Sequence, residues 1–331
     1  MKIFCRAFLI ILAAIIFFLI YFNIPVLETN DDSKLGVTFS ARYARDIGLD
    51  PQETLVAVMD ELNVRRIRIP VYWDEVEKEV GIFDFSSVDW QLEEARKRNA
   101  EIILVVGQKV PRWPECYVPE WAKNDDALRR ERLLAFIRET VLRYKGRSEI
   151  KFWQVENEPF LRFGICPSFD ADLLDQEISL VRNLDSQKKI IVTDSGELSL
   201  WVGAAKRADI FGTTLYRTIW KKEIGYFDYP IGPRFFQFKY WLIGLFANQK
   251  NAIVIELQGE PWISGWTTEG TLEEQFKSMN PEKLKDNVIY ARKVGFPEIY
   301  IWGVEWWYWL KVKENHPEMW ETAKILFLEK K

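Results

Sequence analysis

Eight apolar runs of strand length, separated by stretches of helical periodicity, set the tightest limit on what this 331-residue chain can fold into. The runs are Leu35–Ser40, Arg65–Pro70, Glu101–Gly107, Ile150–Glu156, Lys189–Thr193, Asp209–Thr213, Ala252–Leu257 and Glu298–Gly303. The intervening segments carry helix punctuation. Asp50-Pro51-Gln52-Glu53 offers an N-cap, a proline at the first helical position and an acid at the third, and Asn280-Pro281 repeats the device. Tyr144-Lys145-Gly146 and Lys293-Val294-Gly295 end in glycines able to take a left-handed cap. Regular alternation in a body of about 300 residues fits an α/β (β/α)8 TIM barrel more simply than a doubly wound sheet. No shift in composition marks a second domain, and no glycine-rich phosphate loop is present.

Ahead of the barrel, Lys2 and Arg6 precede an apolar block from Ala7 to Phe22. As a helix the block spans about 24 Å, and continued through Leu27 it reaches about 31 Å, close to the hydrocarbon thickness of a bilayer. Basic residues before it and Glu28, Asp31 and Asp32 after it predict the N-terminus inside and the body outside. The expected organisation is a signal anchor or transmembrane segment at 1–27, a linker at 28–34 and a barrel domain at 35–331. No small-x-small cleavage site follows the block, so a retained membrane anchor is expected, with secretion after signal cleavage as the alternative. Cys116 and Cys166 are then the only cysteines of the exported part, in loops after the third and fourth strands, where a disulfide can form.

Composition excludes several chemistries. His316 is the one histidine, so a Ser-His-Asp device or a histidine-ligated zinc site has little to work with. A net charge of −4 argues against nucleic acid as partner. Proton transfer falls to carboxylates, Lys, Tyr or Cys, and neither a metal nor a cofactor is expected. Fifteen tryptophans, many at or after strand ends, include Trp113, Trp302 and Trp306, whose flat rings suit sugar faces.

In a barrel, functional residues gather where the strands end at the C-terminal face. The fourth run ends in Glu156-Asn157-Glu158-Pro159, and the seventh ends on Glu256. Two acids presented from different strand ends are what retaining glycoside hydrolysis requires.

At these residues the chain resembles the clan A glycoside hydrolases, a retaining (β/α)8 superfamily of cellulases, mannanases, xylanases and β-galactosidases. The resemblance rests on Asn157-Glu158-Pro159 on the fourth of eight strands, with an acid closing the seventh. It implies Glu158 as acid/base, Asn157 as a binder of the sugar 2-hydroxyl and Glu256 as nucleophile. It further implies Arg68 near the second strand end, Tyr216 after the sixth and Trp302 at the eighth as substrate-site residues. Rivals stand beside several of these: Glu156 for Glu158, Glu260 for Glu256, Arg66 for Arg68 and Trp306 for Trp302. Trp113 lies in a loop expected to line the cleft. The implied function is a monomeric retaining glycosidase acting on an oligo- or polysaccharide, the alternative being an inactive glycan-binding barrel.

Overall fold

Each of the eight runs becomes a strand in the computed structural model, which describes residues 12–13 and 16–328. The strands are β1 (Lys34–Thr38), β2 (Arg66–Pro70), β3 (Glu101–Val106), β4 (Ile150–Val155), β5 (Lys189–Asp194), β6 (Ile210–Leu215), β7 (Ala252–Gln258) and β8 (Glu298–Trp302). They close in sequence order, every neighbouring pair parallel, with β8 returning to β1. The principal outer helices are α1 (Pro51–Asp60), α2 (Ser86–Lys97), α3 (Asp126–Tyr144), α4 (Ala171–Leu184), α5 (Val202–Ala205), α6 (Pro233–Ala247), α7 (Pro281–Val294) and α8 (Glu318–Leu328). A hairpin, Thr218–Lys221 with Gly225–Asp228, extends the loop after β6 and was not foreseen.

The caps act as their residue types dictate. Asp50 accepts from the backbone N–H of Glu53 at 2.7 Å, and Asn280 from that of Lys283 at 2.9 Å. Gly295 ends α7 with φ 96°, the left-handed cap expected of it. Gly146 does not adopt a positive φ; α3 stops instead at Lys145, which remains in the right-handed region.

Two apolar layers follow from the two-residue period of the strands. Outward residues such as Ile67, Ile69, Trp153, Val155, Phe211, Val254, Ile299 and Ile301 join the large core beneath the helices. Inward residues Ile103, Ile191, Ile210, Ile253, Ile255 and Tyr300, with Phe152 against them, form a separate cluster that fills the barrel. Gly212 is small because that interior is full: a Cβ there would lie 2.9 Å from Thr193 Cγ2 and 3.0 Å from Ile255 Cγ2.

Residues 16–23 of the expected anchor are mainly helical, with Phe22 5.3 Å from Phe235 of α6 between ring centroids. The block's residues 7–11, 14 and 15 lie outside the described residues. Among the described residues no helix is long and apolar enough to cross a membrane.

Gly212→Val should overpack the barrel interior and cost about 1–3 kcal/mol. Chemical denaturation should read this as a lower midpoint.

Candidate active site

Above the apolar filling, the C-terminal strand ends carry a polar layer built around Arg68. This guanidinium, wholly buried on β2, donates from Nε to Gln154 Oε1 at 2.8 Å and from Nη2 to Asn157 Oδ1 at 2.6 Å. Its Nη1 donates to Glu256 Oε2 at 2.8 Å. One side chain therefore ties the ends of β2, β4 and β7 together. Arg66, the rival, instead pairs with Glu101 at 3.1 Å near the opposite end of the barrel.

Glu256 reaches this layer through an irregularity in β7. Strict alternation would send Ile253 and Ile255 inward and Glu256 outward with Val254. The register breaks there: two steps along β8, Ile299 to Ile301, match three along β7, Val254 to Leu257. On the other side, one step of β6, Thr213 to Thr214, matches two of β7, Val254 to Glu256. Such an extra residue re-aims a side chain, and Glu256 meets both Arg68 and the hydroxyl of Tyr216, which donates to its Oε1.

Glu158 lies beyond the end of β4, where the chain makes two left-handed steps, Glu156 at φ 58° and Glu158 at φ 44°. Strain of this kind costs about 1–3 kcal/mol per residue and persists only where the surroundings over-determine it. Here the surroundings do: the Glu158 N–H donates to Thr193 Oγ1 at 2.8 Å, and Lys109 Nζ donates to its carbonyl at 3.0 Å. Thr214 Oγ1 donates to the Glu158 carboxyl at 3.0 Å. Burial, then the charges of Glu256 and Glu115, push the Glu158 carboxyl well above the usual carboxylate range. The site thus holds one acid paired with a cation and a second whose carboxyl is pushed upward by burial and by its acidic neighbours.

The rivals occupy other environments. Glu156 turns into the loop after β3, where the N–H groups of Gln108 and Lys109 donate to it at 2.8 and 2.7 Å. Gly107, at φ 135°, makes room, since a Cβ there would fall 2.5 Å from Glu156 Oε1. Glu260 accepts from Tyr43 at 2.6 Å, from Thr267 at 3.2 Å and from Arg112 at 2.7 Å. Arg112 also binds Glu305 at 2.7 Å and lies 3.7 Å from the Tyr43 ring centroid, so Glu260 belongs to a second charged knot across the loops of β3, β7 and β8.

Aromatic rings line one continuous rim. Trp113, exposed, meets Phe163 at 5.9 Å; Phe163 meets Trp262 at 6.0 Å; Trp262 meets Tyr216 at 5.3 Å; Tyr216 meets Trp302 at 5.7 Å. Among the described residues the buried Trp302 indole N–H has no hydrogen-bond partner, and Arg112 lies over its ring at 5.2 Å. Trp306 requires a correction. It is fully buried on the helix Val304–Val312 with its N–H donated to Gln275 Oε1 at 2.7 Å, so it packs the core and offers nothing to a ligand.

Sequence reasoning missed Glu115. It takes φ 75° beside Cys116, which is joined to Cys166 with Cα atoms 5.2 Å apart, linking the loops after β3 and β4. Asn157, the expected 2-hydroxyl binder, directs its amide N–H to Glu115 Oε2 at 3.4 Å. Burial and the charge of Glu256 push the Glu115 carboxyl up to about 8. No periodicity marks a loop residue of this sort. A hollow of about 880 Å³ lies against the disulfide, and four of the charges lining it are paired with one another, Arg129 with Asp126 and Arg130 with Asp170.

No protein-family model matches the chain, and no curated protein matches it. Solved structures do. A β-galactosidase from the Antarctic haloarchaeon Halorubrum lacusprofundi superposes with TM-score 0.59 at 14% identity, covering 89% of this chain and 58% of that one. A GH10 endoxylanase from a sugarcane soil metagenome gives TM-score 0.58 at 15% identity, with 82% and 86% covered. An endo-1,4-β-D-mannanase from Thermotoga petrophila gives 0.52 at 13%, with 82% and 88% covered. The chain spans under two thirds of the β-galactosidases it matches, 58%, 59% and 56% of three of them.

A carboxyl raised on folding stabilises most below its unfolded value, and that stability is lost as pH climbs through the folded one. For Glu115 the window runs from 4.5 to about 8. Glu115→Gln should therefore lose less stability than wild type between those limits, a gap of about 5 kcal/mol at the upper end, read as melting temperature against pH.

By fold, this chain stands with solved glycoside hydrolases of the GH42, GH10 and GH5 families.

Proposed function

We propose that the protein is a retaining glycoside hydrolase acting on an oligo- or polysaccharide, with Glu158 as acid/base and Glu256 as nucleophile. The observation that carries the reading is the unequal setting of the two acids. Glu256 is met by Arg68 and Tyr216, whereas burial and the charge of Glu256 itself push the Glu158 carboxyl well above the usual range.

In the first step the Glu158 proton passes to the glycosidic oxygen while Glu256 attacks the anomeric carbon. The bond to the leaving group breaks, and a glycosyl ester forms on Glu256. That ester removes the negative neighbour which raised Glu158, so Glu158, its proton already given to the leaving group, stays ionised and is available to take a proton from water. Water then displaces Glu256 from the anomeric carbon, and two inversions give net retention. Asn157, fixed by Arg68, contributes at the sugar hydroxyls. Trp302 and Trp113 supply ring faces, and the Trp302 N–H, which has no acceptor among the described residues, is available to donate.

The barrel is further proposed to work outside the cytoplasm, tethered by the apolar block at residues 7–22. The Cys116–Cys166 disulfide supports this, because such bonds persist in oxidising compartments.

Glu256→Ala should abolish turnover of an aryl glycoside, and added azide should restore cleavage with inverted product. Full activity, or rescue with retention, overturns the assignment. Glu158→Gln should lower kcat by roughly 10²–10⁴-fold on substrates with poor leaving groups. Binding of glycans with no cleavage by wild type across a polysaccharide panel would leave a glycan-binding barrel instead.

A further inference from the structure

Helix α6 is built with its polarity reversed relative to a barrel helix in water. Its fifteen residues contain two charges, Arg234 and Lys239, and no acid. Lys239 is buried: its Nζ donates to the Gly196 carbonyl at 2.5 Å and lies 4.1 Å from the Trp201 ring centroid. The side away from the barrel carries Trp241, Leu245 and Phe246, exposed by 58%, 60% and 59%. Phe238, three residues before Trp241, stacks on it at 5.7 Å. Helices α2 and α7, by contrast, expose charge, with Arg96 and Lys97 on α2 and Glu282, Lys285 and Asp286 on α7.

The apolar block arrives at this same helix. Phe18 lies 6.0 Å from Phe238, and Phe22 lies 5.6 Å from it. Asn23 Nδ2 donates to the Pro230 carbonyl at 3.0 Å, and Arg234 Nε donates to the Ile24 carbonyl at 3.1 Å, fixing where the block leaves the barrel. Phe17 and Ile20 on the block are themselves exposed. A bilayer that accepts the block must therefore lie beside α6. The helix has the composition of an interfacial one, with Trp and Phe on its open face, no acids, and Arg234 and exposed Lys250 at its two ends.

We propose that the outer face of α6, centred on Trp241, Leu245 and Phe246, docks on the lipid bilayer and orients the barrel against the membrane. The inference rests on the tether proposed above. It adds to the tether a second contact that fixes which side of the barrel faces the lipid.

The test uses the full chain in phosphatidylcholine/phosphatidylglycerol vesicles. Cys5→Ser is combined with Leu245→Cys, labelled with an environment-sensitive fluorophore, and Lys97→Cys on α2 serves as the control position. Vesicle flotation reports the tether, and quenching by doxyl-labelled lipid or aqueous iodide reports the face. The expected result is flotation of both proteins, with doxyl quenching several-fold greater at 245 than at 97 and iodide quenching in the reverse order; Trp241→Cys should repeat the ordering. Flotation with position 245 as open to iodide as position 97, and no doxyl quenching, overturns the docking alone. Shielding at 245 that disappears on dilution, without doxyl quenching, assigns the face to a second copy and also overturns it. Failure to float removes the tether and the docking together.

Discussion

The site hangs on the buried Arg68 guanidinium. A cation this deep is tolerable only when its donors are satisfied with good geometry, because the cost of leaving water is several kcal/mol per ion. Arg68 meets that condition with Gln154, Asn157 and Glu256, residues contributed by two other strands. The dependence is mutual. Without the guanidinium, Glu256 would be a poorly exposed acid with only the Tyr216 hydroxyl against it, and the Asn157 carbonyl would lose its shortest partner. The contrast between an acid paired with a cation and one pushed upward by burial, on which the proposed chemistry rests, owes its paired half to that single placement.

Around this hub the loops are held rather than free. The disulfide joins the segments after β3 and β4, Lys109 ties one to the carbonyls of Glu158 and Leu161 in the other, and Arg112 binds acids that follow β7 and β8. Strained backbone at Glu115, Glu156 and Glu158 persists because these ties leave no easier conformation. Preorganised dipoles are worth most where water is excluded, and all three carboxyls are buried.

Much of this could be read from the chain because strand-length apolar runs and helix caps act locally. All eight strands lie within about two residues of their expected bounds, and Asp50, Asn280 and Gly295 cap as their chemistry requires. The acids at the ends of β4 and β7 were legible because a barrel brings strand ends together whatever their separation in sequence. Glu115 and the Arg112 knot were not, since loop residues carry no period and their partners are set only by closure. Trp306 was misread for a related reason: lying just beyond β8 suggested the cleft, but the helix Val304–Val312 turns its indole to Gln275. The outward aromatics of α6 look in sequence like ordinary core residues, and only the packing shows which side they take.

The register break in β7 makes the length of that strand a matter of parity. Every other inward residue on the strand counts in twos from its start, but Glu256 counts from the inserted position. A strand of the same length paired without the extra residue would be perfectly regular, closed and well paired, yet its acid would point into the helical layer. Such a barrel could be better ordered than the present one and yet have no chemistry, so in this segment regularity and activity are opposed.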